Sequence, residues 1–164
     1  SAASDVYKRQ EGDLCMNVIA LRGCGNVGKT NTLKQVIRIL IDECGAHKLV
    51  EYVADNKIDT RVVLEIHGKI IVIFTGGDDR KTLDKNFESV RLHQFDLLIC
   101  ACRSRGASCR CLEEKYTKDQ ILWYGQSKVS GLCNNIAQLE LIRTQENSHL
   151  AMSIVQSAKT ILAF

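Results

Sequence analysis

The sequence contains no proline, and so no proline-rich spacer separating rigid modules. It shows no internal repeat and no low-complexity linker. No run of apolar residues approaches the roughly 18 needed to cross a bilayer as a helix. Charge of one sign is also scarce: 22 Lys and Arg stand against 19 Asp and Glu, a formal net of +3. That excess is spread without a polybasic block, too little to point to nucleic acid or a membrane surface. The charged fraction, 25%, is ordinary for a globular domain.

The opening residues "SAASDVYKRQ" resemble the translation of a sequencing-library adapter and are set aside from fold reasoning. "EGDLC" follows without a start, and Met16 then opens directly into an apolar run, so it is taken as the native start. Residues 1–15 carry Lys8 and Arg9 against Asp5, Glu11 and Asp13, one net negative charge; without them +3 becomes +4. The expectation is a non-native adapter and upstream segment over 1–15 and one domain over 16–164, enough chain for one continuous core. No secretory leader follows Met16, and a cytoplasmic location is expected.

Eight cysteines are present, of which Cys15 falls in the upstream segment. In a cytosolic domain the others are expected to be reduced. "CACRSRGASCRC" offers four thiols as two C-x-C pairs, whereas zinc sites use C-x₂₋₄-C turns. Period two puts Cys100 and Cys102 on one buried face of a strand, where cysteine is a small core residue.

"MNVIALRG" suits a buried strand of a parallel sheet. From Lys29 to about Cys44, Leu33, Val36, Ile37, Leu40 and Ile41 recur at helical spacing, and Gly45 supplies the stop. "AHKLVEYVADNK" has no clear period and is treated as a connection. "TRVVLEIHGKIIVIFTGG" is a hairpin turning at His67–Gly68. Its first arm alternates and is assigned to a sheet edge, while Ile70–Phe74 is continuously apolar and assigned to the centre. Leu83, Phe87 and Val90 mark a helix, "FDLLICAC" a buried strand, "ASCRCLEEKYTKD" a helix and "QILWYG" a last strand. From about Ser130 the pattern is helical through Leu132, Ile136, Leu139, Ile142, Leu150, Ile154, Ala158 and Ile161, with a break considered near Asn147. Its apolar stripes are expected to pack on the sheet; the other use for them is a protein partner or self-association. Alternating strands and helices predict a three-layer α/β sandwich with a mostly parallel sheet of about five strands.

The chemistry is concentrated in Gly23-Cys24-Gly25-Asn26-Val27-Gly28-Lys29-Thr30, which fits G-x-x-x-x-G-K-[ST] between an apolar strand and an amphipathic helix. Glycines let backbone N–H groups approach phosphate oxygens, and the new helix adds its positive N-terminal end. Lys29 is expected on the β- and γ-phosphates and the Thr30 hydroxyl on Mg²⁺. Such a loop needs a carboxylate for the metal. "IIVIF" ends in Phe74 without one, and Asp78 and Asp79 follow only after Thr75-Gly76-Gly77. Asp78 is the candidate metal acid, through water, with a plain loop residue as the equal alternative, and Asp79 is equally read as no more than a helix N-cap. Glu51 and Asp55 are the reserves.

A hairpin followed by "TGGDD" resembles the switch region of small GTPases, with Phe74 standing where that family has its acid. Asn56-Lys57-Ile58-Asp59 matches N-K-x-D, the guanine-reading motif of the same family. It precedes the switch here rather than following it, and is taken as coincidence ahead of a strand. Together "MNVIALRGCGNVGKT", "TGGDDR" and "FDLLICACRSRG" resemble small uncharacterised P-loop NTPases of bacteria and their phages, over most of residues 16–125. That resemblance implies nucleotide binding, ATP or GTP, with no settled reaction.

Arg103, Arg105 and Arg110 follow a central strand at the edge where open α/β sheets bind ligands. The spacing permits a kinase-like lid neutralising a transferring phosphate, and equally an exposed basic loop. Trp123 and Tyr124 are assigned to packing rather than to stacking on a base. The leading expectation is Mg²⁺-dependent nucleoside triphosphate binding with slow hydrolysis. A small-molecule kinase and a nucleotide-gated interaction module are the alternatives.

Overall fold

The computed structural model describes residues 18–91, 93–130 and 135–164. The adapter-like segment, Met16, Leu132 and Cys133 lie outside them. The chain runs β1 (Val18–Arg22), α1 (Lys29–Asp42), β2 (His47–Val53), β3 (Thr60–Ile66), β4 (Lys69–Phe74), α2 (Arg80–Val90), β5 (Leu97–Cys102), α3 (Ala107–Lys115), a 3₁₀ turn (Lys118–Gln120), β6 (Ile121–Gly125) and α4 (Ile136–Leu162). The strands form one sheet in the order β2-β3-β4-β5-β1-β6. The three pairings among β4, β5, β1 and β6 are parallel, and the two that join β2, β3 and β4 are antiparallel.

The sheet is buried on both faces, so its strands alternate between two cores. Ile19, Leu21, Ile71, Ile73, Leu97 and Ile99 meet Leu33, Val36 and Leu40 of α1 and Ala151, Ile154 and Val155 of α4. On the other face Val18, Ala20, Val72, Phe74, Leu98 and Cys100 meet Leu83, Phe87 and Val90 of α2 and Leu112 of α3. Phe74 and Phe87 pack edge to face, their ring centroids 5.4 Å apart. Cys100 and Cys102 lie in this second core together, as period two requires. Burial pushes both thiols well above the ordinary range.

Two expectations about the sheet are corrected. There are six strands rather than about five, because "HKLVEYV" forms β2. Only Val50 of β2 is better than exposed, so an edge strand with little to bury left no hydrophobic period to find. For the same reason β3 is not the edge: β2 covers it, and Val62, Val63, Leu64 and Ile66 are all buried. The β3–β4 turn does fall at His67–Gly68, with both residues at positive φ (48° and 75°), the pattern of a two-residue hairpin that matches strand twist.

The C-terminal segment is a single helix through Asn147, with no break there. Only its second half packs on the sheet; Ile136, Leu141 and Ile142 remain exposed, contrary to the expectation that the whole stripe is covered. Asp79 caps α2 by accepting the Thr82 backbone N–H at 2.8 Å. That bond, with a second from the Thr82 hydroxyl, holds its carboxyl below the ordinary value. A depressed carboxyl stabilises the fold above its unfolded pKa and loses that contribution as pH falls through the folded one. Asp79→Ala is therefore expected to cost about 1 kcal/mol at neutral pH, the usual value of a cap. In urea unfolding the difference from the parent should shrink once the carboxylates are protonated; a constant difference would show that the cap is not the cause.

Candidate functional site

The parallel strands β1, β4, β5 and β6 all end at one edge of the sheet, so the loops that follow them converge there. Because β3 is antiparallel to β4, its beginning lies at the same edge: Arg61 pairs with Phe74. The turn at residues 54–59, which enters β3, is thereby brought beside the loop at 23–30.

Within that loop, Asn26 and Gly28 take positive φ (59° and 101°), and Gly28 opens α1, accepting the Thr32 N–H at 2.9 Å. Lys29 folds back over its own loop and is only 5% exposed. Its ammonium donates to the carbonyls of Gly23 (2.9 Å) and Cys24 (2.7 Å) and pairs with Asp78 at 3.1 Å. Asp78 also faces Arg103, Nε to Oδ2 3.7 Å. Arg103 lies over the loop, its Nη2 3.4 Å from where a side chain on Gly25 would begin.

Thr30 makes a separate connection. Its hydroxyl donates to Asp59 Oδ1 at 3.0 Å and reaches the Thr75 carbonyl at 3.3 Å. Asp59 is oriented by a tight local turn in which Asn56 Oδ1 accepts the N–H groups of Ile58 and Asp59, both at 2.9 Å. Asn56 Nδ2 donates to the second Asp59 oxygen at 2.7 Å. Gly76 has to be glycine for this packing: a Cβ there would stand 2.6 Å from the Asp59 carboxylate. At Gly77 a Cβ would meet the Ala101 carbonyl at 2.1 Å, so the two glycines let the chain pass between β3 and β5.

The structure thus brings together Lys29, Asp78 and Arg103 on one side and Thr30 with Asp59 on the other. Asp78, the acid expected at Thr30, contacts Lys29 instead. Asp59, set aside in the sequence as part of a coincidental motif, holds the Thr30 position. Asp55 lines the same cleft, whereas Glu51 is paired with Lys48 on exposed β2. None of the three expected lid arginines lines the cleft; Arg103 meets the site through Asp78 and Gly25, and Arg105 and Arg110 are exposed.

Gln126, which no motif marked, fastens the far side of the loop. Its Nε2 donates to Val27 O (3.0 Å) and Asn147 Oδ1 (2.7 Å), and its Oε1 accepts from Thr32 (3.1 Å). Trp123 and Tyr124 are engaged in packing: Arg22 lies over the indole at 5.2 Å, and the Tyr124 hydroxyl meets Ser157 at 2.6 Å.

No protein-family model, curated protein or solved structure matches the chain.

Two clefts open on either side of the loop and share Asn26, Gly28 and Asn31. The first, about 740 Å³, is lined by Lys29, Thr30, Asp59, Thr75, Asp78 and the start of α2. The second, about 710 Å³, lies between Gly125–Val129 and the exposed half of α4. Thr30, Asp59 and the Thr75 carbonyl supply hard oxygen donors within a few ångströms of one another, the donor set that suits Mg²⁺. Among the described residues no group of three or more His, Cys, Asp or Glu gathers as a metal cluster, the four thiols of 100–111 included.

Proposed function

We propose that the chain is a P-loop protein that binds a Mg²⁺-nucleoside triphosphate, with ATP as the leading ligand, and hydrolyses it slowly. The observation that carries this reading is Lys29. A buried ammonium held by two carbonyls of its own loop, at the start of a helix, is a cation stored where an anion's charge would be neutralised. In the reading, the β- and γ-phosphates lie on the loop amides and Lys29. Thr30 and Asp59 would hold Mg²⁺, which would neutralise phosphate charge. Arg103 and Asp78 flank the γ-phosphate: Arg103 adds positive charge, and Asp78 keeps Lys29 and Arg103 in place. With Thr30 and Asp59 on the side of the first cleft, the nucleoside belongs in the second, between Gln126 and α4.

The test uses Cys24, which is exposed in the loop. Saturating Mg·ATP is expected to slow its alkylation about tenfold or more, read by peptide mass mapping, while the partly exposed Cys44 reacts at an unchanged rate. Competition between ATP and GTP in the same assay assigns the base. Unchanged Cys24 reactivity together with no binding of a fluorescent ATP analogue would sink the reading.

The phosphotransferase alternative keeps one supporting observation, the position of Arg103 over Gly25 and beside Asp78. If it holds, phosphate release should depend on an added acceptor.

A further inference from the structure

The first cleft is larger than a metal and a terminal phosphate require, and its far end has a different character. It continues from Asp59 and Thr75 to Arg61, Thr82, Lys85 and Asn86. Arg61 lies on the α2 side of the sheet, the side of Val63 and of its partner Phe74. It is part-buried, and its Nε is shielded from solvent with no hydrogen-bond partner among the described residues.

Arg80 and Arg103, at the same edge of the sheet, each meet a carboxylate. The acids near Arg61 are committed elsewhere: Asp59 to Thr30 and Asn56, Asp78 to Lys29 and Arg103, Asp79 to the α2 cap, and the fully exposed Asp55 to Lys85 at 3.8 Å. Removing a guanidinium donor from water without a partner is unfavourable, and a bound anion is one of the ways in which such a group is satisfied.

We infer that the Arg61 end of this cleft binds a second, small anionic ligand through its carboxylate or phosphate oxygens. Arg61 is its main contact and Lys85 a contributor at the rim. A guanidinium presents a planar fork suited to two oxygens of one such group, and the charge assistance makes the pairing strong. The loop at 23–30 and this end share one cleft, so both ligands would be held at once. The inference deepens the nucleotide reading by assigning the co-ligand's class, and it can fail separately from it.

The experiment is calorimetric titration of the full chain, first saturated with Mg²⁺ and a non-hydrolysable ATP analogue so that the loop is occupied. Inorganic phosphate is titrated in one arm and acetate in the other; the arm that binds identifies the ligand group. Arg61→Gln is expected to weaken that binding at least about tenfold, one charge-assisted contact, and Lys85→Gln severalfold. The affinity for the ATP analogue should stay within about twofold. Lys85 is exposed, so its variant folds regardless of what Arg61→Gln does, and undiminished anion binding in both variants overturns the site. So does the absence of binding in both arms, or a loss of nucleotide affinity in Arg61→Gln equal to the loss of anion affinity, which would place Arg61 in the nucleotide site. If the parent fails to bind nucleotide, the titration is repeated in Lys29→Ala, whose loop no longer competes for anions. Arg61-dependent binding there supports the site although the nucleotide reading has failed.

Discussion

Lys29→Ala is expected to lower nucleotide affinity by a hundredfold or more while the protein stays folded. The ammonium is the one charged donor inside the loop, and hydrogen bonds to charged groups contribute roughly 1.5–3 kcal/mol each. Losing two of them at the phosphates corresponds to about 2–4 powers of ten in affinity. The fold should tolerate the change because Asp78 is half-buried and lines the cleft, so water can replace the ammonium there, and leaving the buried Gly23 carbonyl without its donor costs only about 1–3 kcal/mol. Thermal unfolding and fluorescent-nucleotide titration of the same preparation check both halves. Affinity within a few-fold of the parent would remove Lys29, and with it the proposed site, from phosphate binding.

Asp59→Asn and Asp78→Asn should each lower hydrolysis about a hundredfold, the scale of losing one electrostatic contact in a transition state. They should do so in distinguishable ways. Asp59 shares the Thr30 hydroxyl, so its loss should raise the Mg²⁺ concentration giving half-maximal rate by about tenfold or more. Asp78 bears on Lys29 and Arg103, so its loss should leave that Mg²⁺ dependence unchanged and keep nucleotide affinity within roughly tenfold. Asp79→Asn, with another good capping residue, is expected to hydrolyse normally. Rates measured over a Mg²⁺ titration decide the matter. If Asp78→Asn moves the Mg²⁺ dependence and Asp59→Asn does not, the two acids exchange roles.

Legibility in the sequence followed how much of a signal is local. The loop at 23–30 stands out because two glycines, a lysine and a threonine at fixed spacing must follow an apolar strand and open a helix. α1, β4, β5 and α2 are legible because each buries a continuous run or a helical stripe. β2 was missed because an exposed edge strand contributes hydrogen bonds but almost no hydrophobic period. The exposed half of α4 carries the same apolar spacing as the packed half, since a pattern of residues does not state whether a partner surface lies opposite it.

Read along the chain alone, the strand–loop–helix order around residues 23–30, the apolar runs of the central strands and an acid able to cap α2 are already visible, because each is a pattern within a few residues. The identity of the acid on Thr30 is different in kind. Asp59 is 29 residues from Thr30 and lies at the beginning of a strand, where a search for an acid at a strand's end does not look. It reaches the site only because β3 runs antiparallel to β4 and so brings its first residues to the edge where the other strands finish. The same holds for Gln126 and Asn147, drawn to the loop from β6 and α4 by the order of strands in the sheet. Strand direction and sheet order come from the packing of the whole chain, which is why the tertiary structure alone decided them.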